Sequence, residues 1–146
     1  MNIGIIGLGS IGLRHAKNSI ILKHNVFGFD VDNKKEHEIK KIGGKFVKDK
    51  KEFIRVIDAG IISSPNKYHL EHLKLLIDNK KHCFVEKPIS HEYLKTKKII
   101  DKAKSLKLII FVGQNLRFHP AVNKAKDWLK IKRIGRILWS SLICSS

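Results

Sequence analysis

Short apolar segments alternate along the chain with longer segments whose apolar residues recur every three to four positions. The short segments are rich in isoleucine and valine, as buried strands are, and the longer spacing is typical of helices that bury one face. Strands are predicted at residues 3–8, 26–30, 45–47, 56–63, 83–86, 108–112 and 137–143. Helical segments are predicted at residues 11–23, 33–42, 50–55, 66–78, 90–106 and 121–131, with Ser90 as a possible cap. This alternation predicts an α/β fold, a doubly wound parallel sheet with helices on both faces.

A glycine cluster lies between the first predicted strand and the first predicted helix. Residues 7–12 read G-x-G-x-x-G, and this strand–turn–helix position is the one that a dinucleotide-binding (Rossmann) turn requires. Gly7 then permits the tight turn, Gly9 lets the backbone approach a pyrophosphate, and Gly12 lets helix and strand pack closely. The helix start at Ser10 and Ile11 supplies free N–H groups for the phosphates.

An acidic residue follows at the spacing that such a site needs. Asp30 ends the second predicted strand, 18 residues after Gly12, where a carboxylate accepts hydrogen bonds from the adenosine ribose and repels a 2′-phosphate. This favours NAD over NADP. NADP stays possible because Lys34 and Lys35 lie just beyond, and Asp30 could instead be a surface acid in a turn.

Three further polar segments follow predicted strands, at the sheet edge where ligands bind in such folds. They read SSPNKYH at residues 63–69, VEKPIS at 85–90 and GQNLRFHP at 113–120. Lys87 could hydrogen-bond a substrate hydroxyl and help to move its proton. The alternative is that Glu86 and Lys87 form only a surface ion pair.

Together with GLGSIGLRH at residues 7–15, these segments occur in an order that resembles the Gfo/Idh/MocA oxidoreductases. The resemblance runs from Met1 to about Ile143, and the EKP tripeptide is its most specific element. It implies an N-terminal Rossmann domain that binds NAD(P). It also implies hydride transfer between the nicotinamide and a hydroxyl or carbonyl carbon of a sugar or cyclitol.

The resemblance also implies roles for individual residues. Lys87 would be the catalytic residue that assists proton transfer, and Glu86 would hold the nicotinamide ribose. The Lys87–Pro88 bond would be cis. The remaining cofactor-binding residues implied by the family motifs are Ser64, Pro65, Asn66, His69, Asn115 and Arg117.

Family members continue into a second, α+β domain that forms the substrate pocket. The resemblance therefore implies a Rossmann domain at residues 1–118, followed at 119–146 by a connecting helix and the first strand of an incomplete, truncated substrate domain. We expect that the chain could be inactive alone, which leaves an inactive dinucleotide-binding fragment as an alternative. We also expect self-association through the exposed last strand, whose apolar residues are Ile137, Leu138, Trp139, Leu142 and Ile143.

Charge adds a further alternative. The chain carries 30 Lys+Arg against 13 Asp+Glu, a net charge of +17, and such a surplus attracts polyanions. The basic residues are mostly lysines scattered along the chain, which favours a solvated surface over a nucleic-acid site.

The remaining composition points to an ordinary intracellular protein. The two cysteines match no metal or redox spacing, and His69 and His72 lack a third ligand, so no metal is expected. We expect a soluble cytoplasmic protein because no secretory signal or membrane-spanning apolar stretch is evident.

Overall fold

The computed structural model describes residues 1–141. Its centre is a six-stranded sheet in the order β3-β2-β1-β4-β5-β6, and every neighbouring pair is parallel. The strands are β1 (Asn2–Ile6), β2 (Asn25–Phe29), β3 (Lys45–Phe46), β4 (Ala59–Ile62), β5 (His82–Glu86) and β6 (Ile110–Gly113). This is the strand order of the Rossmann fold, so the predicted fold class is confirmed.

Helices connect the strands. They are α1 (Ser10–Ile21), α2 (Lys35–Lys41), α3 (Lys50–Val56), α4 (His69–Asp78) and α5 (Tyr93–Ser105), with α6 (Pro120–Lys130) after the last strand. Short 3₁₀ turns cover Asn66–Tyr68 and Asn115–Phe118. Among the described residues, none of the helices has both the length and the apolarity needed to cross a membrane.

The chain divides into two compact units, Met1–Gly113 and Gln114–Ser146. The first unit contains the whole sheet and α1 to α5. In the second unit, α6 begins at Pro120, and the ring of His119 accepts a hydrogen bond from the Ala121 N–H. Proline suits this first helical position because its missing N–H would have no partner there.

The core lies on both faces of the sheet. Consecutive residues of β1 point to opposite faces, so that Ile5 packs with α1 and α2 while Ile6 packs with α3, α4 and α5. Both isoleucines are almost completely buried. Burial on two faces explains why the strands are continuously apolar rather than alternating.

Two local predictions are wrong. Helix α5 begins at Tyr93, not at Ser90, and Glu92 occupies its cap position. The Ser90 hydroxyl instead accepts a hydrogen bond from the Glu92 N–H at 3.0 Å. Serine competes for nearby backbone donors in this way, and here it closes a turn before the helix.

The second wrong prediction is the last strand. Residues 137–141 form no strand, and Ile137, Leu138 and Trp139 are exposed. A strand needs a neighbour for its backbone hydrogen bonds, and within residues 1–141 the sheet ends at β6. Leu142 and Ile143 lie outside the described residues, and self-association through this segment stays a prediction.

We expect the first unit to depend on the packing of α4 against β4. Leu76 is fully buried, and a side chain at Gly60 would come within 2.5 Å of its Cδ1 atom. Leu76→Ala should lower the free energy of unfolding by about 2–5 kcal/mol, because the cavity cannot close around strand backbone. Leu94→Ala, at a position that is 72% exposed, is the matched control and should change it by less than about 0.5 kcal/mol. Urea denaturation measures both, and equal losses would contradict this view of the core.

Candidate cofactor site

The site lies where the sheet changes its winding direction, between β1 and β4. Ile6 of β1 pairs in register with Ile62 of β4, so the two strands end side by side. The glycine loop that follows β1 therefore meets the loop at residues 63–65 that follows β4. Open parallel sheets bind their ligands in the crevice at such a switch point.

The three glycines of the loop are required for different reasons. Gly7 has φ +91°, and a side chain there would come within 2.6 Å of the Ser64 backbone nitrogen. A side chain at Gly12 would overlap the carbonyl oxygen of Gly7. At Gly9, by contrast, an added Cβ would meet nothing within 4 Å. Close packing within the fold therefore requires glycine at positions 7 and 12. At Gly9 no neighbouring residue requires glycine, and the missing side chain leaves space that a ligand could occupy.

The start of α1 offers donors to that space. Gly9 is the N-cap residue and provides no side-chain capping bond, and the first turn contains no acidic residue. The first N–H groups of a helix have no partner within the helix, and the helix dipole makes this end positive. Ser10 and Ile11 line the adjacent cavity, so the loop can bind an anionic group such as a pyrophosphate.

The cavity beside the glycine loop has a volume of about 620 Å³, within the usual range for small-molecule sites. The predicted site residues that line it are Gly7, Gly9, Ser10, Ile11, Asp30, Ser64 and Pro65. Gly12 lies behind the loop, in the contact between α1 and β1. The structure thus brings together residues from β1, α1, β2 and β4.

Asp30 is tied to the glycine loop itself. Its Oδ2 accepts a hydrogen bond from the Leu8 N–H at 2.7 Å, and its Oδ1 accepts one from the Asp32 N–H at 2.9 Å. These bonds hold the carboxylate at the end of β2. Spacing alone predicts the position of Asp30 but not the bond to Leu8, which depends on the pairing of β1 with β2.

Lys35 lines the same cavity as Asp30. Its ammonium donates to Glu38 Oε1 at 2.6 Å, and this hydrogen bond raises the pKa of Lys35 above its ordinary value. Lys35 is therefore a cation that already has an acidic partner. Lys34, which the sequence also suggested, is exposed and does not line the cavity.

Five further polar residues line the cavity without being among the predicted site residues, and Ser63 is one of them. His72 lies 2.9 Å from the Ser64 hydroxyl through Nδ1, and burial lowers its pKa, which favours the neutral ring. Lys50 and Glu71 form an ion pair at 3.4 Å, and Tyr68 completes the group. The spacing of His72 from His69 on one helix was a usable signal, but nothing local places Lys50 near α4.

His69 was predicted to bind the cofactor, but its ring is 1% exposed and does not line the cavity. Nδ1 lies 2.7 Å from the Pro88 carbonyl oxygen, and Nε2 lies 2.8 Å from the Ser64 carbonyl oxygen. The ring thus joins the loop after β4 to the loop after β5. These hydrogen bonds position the two loops, and cofactor binding by His69 stays a prediction.

Glu86 and Lys87 lie at the end of β5, next to β4, outside the cavity beside the glycine loop. The Lys87–Pro88 bond is cis, as the resemblance implies. Glu86 Oε1 is 2.8 Å from His15 Nε2 of α1. Lys87 is exposed, and its ammonium has no hydrogen-bond or ion-pair partner among residues 1–141.

The remaining predicted residues lie elsewhere. Asn66 is exposed at the start of the 3₁₀ turn Asn66–Tyr68 and does not line the cavity. Asn115 and Arg117 belong to the 3₁₀ turn of the second unit, where both are exposed. The geometry of the first unit therefore does not test their predicted roles, which stay predictions.

Metal and thiol chemistry find little support in the described part of the chain. Among residues 1–141, no three His, Cys, Asp or Glu side chains are placed to hold a metal ion. Cys83 is a free buried thiol, and burial raises its pKa to about 12. A thiol with so high a pKa is a poor nucleophile.

The sequence and fold of this chain match those of known oxidoreductases. Residues 1–114 match the family model GFO_IDH_MocA, described as an oxidoreductase family with an NAD-binding Rossmann fold. Myo-inositol 2-dehydrogenase of Thermotoga maritima is 33% identical over 93% of this chain and 42% of its own length. Glucose-6-phosphate 3-dehydrogenase of Bacillus subtilis is 31% identical over 93% of this chain and 40% of its own.

Solved structures agree with these sequence matches. Scyllo-inositol dehydrogenase of Lactobacillus casei, solved with NAD(H) and scyllo-inositol, superposes with a TM-score of 0.81 at 26% identity. The match covers 92% of this chain and 42% of that enzyme. The chain thus spans about 40% of the length of the curated relatives named above.

The different demands on Gly9 and Gly12 can be measured. Gly12→Ala should lower the free energy of unfolding by about 1–3 kcal/mol, because the overlap is with backbone and no rotamer relieves it. Gly9→Ala should change it by less than about 0.5 kcal/mol, since Gly9 has an ordinary φ of −69° and open space around it. Urea denaturation without cofactor compares the two variants, and a loss as large for Gly9→Ala would show that both glycines serve the fold.

Proposed function

The chain belongs to the Gfo/Idh/MocA family of NAD-binding oxidoreductases, and on that premise we propose that it supplies the NAD(H) site of a sugar or cyclitol dehydrogenase. The single observation that carries this proposal is the open space at Gly9, which faces a cavity at the start of α1. Neither packing nor backbone strain requires glycine there, whereas a pyrophosphate close to the backbone does.

The proposed cofactor lies along the cavity. The N–H groups at Ser10 and Ile11 bind the pyrophosphate, with the positive end of α1 behind them. Asp30 accepts hydrogen bonds from the adenosine ribose. Ser64 and Pro65 flank the cofactor from the β4 side, where both line the cavity.

The proposal favours NAD over NADP. Asp30 is held by the N–H groups of Leu8 and Asp32, so its carboxylate cannot easily swing away from a 2′-phosphate. Two anionic groups at close range repel each other. Lys35, the nearest candidate for neutralising such a phosphate, is engaged with Glu38.

The proposed chemistry takes place at the end of β5. Bound NAD⁺ would accept a hydride from the carbon that bears the substrate hydroxyl. Lys87 binds that hydroxyl and helps to move its proton as the carbonyl forms. Its exposed side chain is available for this role within the described residues: the amine form accepts the hydroxyl proton and becomes the ammonium. Glu86 binds the nicotinamide ribose.

The substrate class follows from the relatives and is itself part of the proposal. The two curated relatives named above carry the names myo-inositol 2-dehydrogenase and glucose-6-phosphate 3-dehydrogenase. We therefore propose a polyhydroxylated six-membered ring as substrate. Asn115 and Arg117 are proposed to contact the nicotinamide or this substrate.

The proposal also retains the domain division at residue 118 and a cytoplasmic location. The family match ends at residue 114 and the first compact unit at Gly113, which supports a division in this region. The free thiol of Cys83 is compatible with a reducing compartment. The nucleic-acid alternative rests on the net charge alone.

A titration with NADH and NADPH tests the cofactor proposal. NADH should bind more tightly than NADPH, and Asp30→Ala should raise the NADH dissociation constant roughly tenfold while changing that of NADPH less than about threefold. The ratio of the two dissociation constants corrects for any general damage to the loop, because such damage weakens the binding of both nucleotides. Asp32→Ala removes a neighbouring acid that does not line the cavity and should leave the ratio unchanged. Failure of the unmodified chain to bind either nucleotide would refute the proposal.

Turnover tests the chemical role of Lys87. With NAD⁺ and myo-inositol or glucose 6-phosphate, Lys87→Ala should lower NADH formation by about 10²- to 10⁴-fold and leave NADH affinity within about twofold of the unmodified chain. Lys97→Ala changes another exposed lysine and should alter neither quantity. NADH binding without turnover in the unmodified chain would favour the alternative of a dinucleotide-binding module without chemistry of its own.

A further inference from the structure

Glu86 has a partner that no sequence pattern indicated. His15, in the middle of α1, places Nε2 2.8 Å from Glu86 Oε1 across 71 positions of sequence. Both side chains are about one-fifth exposed, His15 at 21% and Glu86 at 22%. Partly buried pairs of this kind are less screened by solvent than surface ion pairs are.

The His15 ring is itself held in place. It packs edge-on against Phe84, with ring centroids 5.0 Å apart, and Phe84 in turn stacks on Phe111 at 5.6 Å. Phe84 belongs to β5, two residues before Glu86. The imidazole therefore packs against the same strand whose end carries the Glu86 carboxylate. This packing restricts the positions of both hydrogen-bond partners.

The other carboxylate oxygen lies beside backbone without a side chain. Glu86 pairs in register with Gly113 of β6, and a Cβ added at Gly113 would lie 3.3 Å from Glu86 Oε2. Because residue 113 is glycine, it places no side chain of its own against Oε2, and the same space borders the Phe84 ring. One oxygen is thus bound to His15, and the second is not covered by a neighbouring side chain at Gly113.

We propose that His15 is a positioning residue, which binds Glu86 Oε1 and so presents Oε2 to a hydroxyl of the nicotinamide ribose. This role rests on the proposed function, because it assumes that NAD(H) occupies the site. The bond also links the two ends of that site. Helix α1 binds the pyrophosphate through its first turn, and His15, one turn further along, holds the residue that receives the nicotinamide ribose.

A surface ion pair that serves only stability is the competing explanation. Such a pair would stabilise the fold alone, so its loss would change the affinity for every ligand by the same factor. A positioning role instead affects only ligands that carry the nicotinamide ribose. ADP contains the adenosine ribose and the pyrophosphate but lacks the nicotinamide ribose, so ADP separates the two explanations.

The test is calorimetric titration of the full chain with NADH and ADP. His15→Phe retains an aromatic ring against Phe84 but has no donor for Glu86. It should weaken NADH binding roughly three- to tenfold and leave ADP binding within about twofold. His15→Gln retains an N–H donor and should recover most of the NADH affinity. His37→Phe makes the same change at an exposed position of α2 and should affect neither ligand.

The outcomes separate the two proposals. Unmodified chain that binds neither ligand would overturn the proposed function and, with it, the role of His15. Unmodified chain that binds both, with His15→Phe weakening NADH and ADP equally or not at all, would overturn only the positioning role. If His15→Phe does not fold, His15→Asn, whose shorter amide does not span the distance to Glu86, takes its place with the same expected result.

Discussion

The close approach of the β1–α1 turn to its own helix is the constraint on which the rest of the molecule depends. Gly12 lies so near the carbonyl oxygen of Gly7 that any side chain would overlap it, and a side chain at Gly7 would come within 2.6 Å of the Ser64 backbone nitrogen. Three backbone segments therefore meet closely, and the Ser63 hydroxyl also bonds to the Gly7 carbonyl oxygen there. This contact sets the start of α1 at the switch point of the sheet, and the start of α1 is where an anion can bind.

The parallel register extends this arrangement across the sheet. Ile6 pairs with Ile62, Ile62 with Val85 and Val85 with Val112, so four strands end in one row. Everything that follows a strand, from the glycine loop to Glu86, is thereby brought to the same edge. Burial of both faces is what holds the register, because a slip of one residue would exchange the residues that face the two layers of helices.

Two histidines join different elements along this edge through hydrogen bonds. His69 joins the loops after β4 and β5 through the carbonyl oxygens of Ser64 and Pro88. His15 joins α1 to Glu86 at the end of β5. Hydrogen bonds between elements that are distant in sequence restrict the loops, whose positions the sheet alone does not fix. A site that binds a long cofactor at both ends benefits from this restriction.

The sequence by itself determined the order of strands and helices, the fold class, the glycine loop and the position of Asp30. These depend on local periodicity, on turn chemistry and on fixed spacing, all of which are written along the chain. The family resemblance added the end of β5, including the cis bond before Pro88. The sequence was less reliable where a structure depends on a distant partner, as the unformed strand at residues 137–141 and the displaced start of α5 show.

Only the tertiary structure decided how the site residues are connected. The bond from Leu8 to Asp30, the seat of His69 between two carbonyl groups and the pair of His15 with Glu86 each join residues that are 5 to 71 positions apart. The physical reason is that a side chain's partners are set by sheet order and helix packing, which bring together segments whose sequences contain no signal for one another. Local sequence specifies which chemical groups are available, and the folded sheet specifies which of them meet.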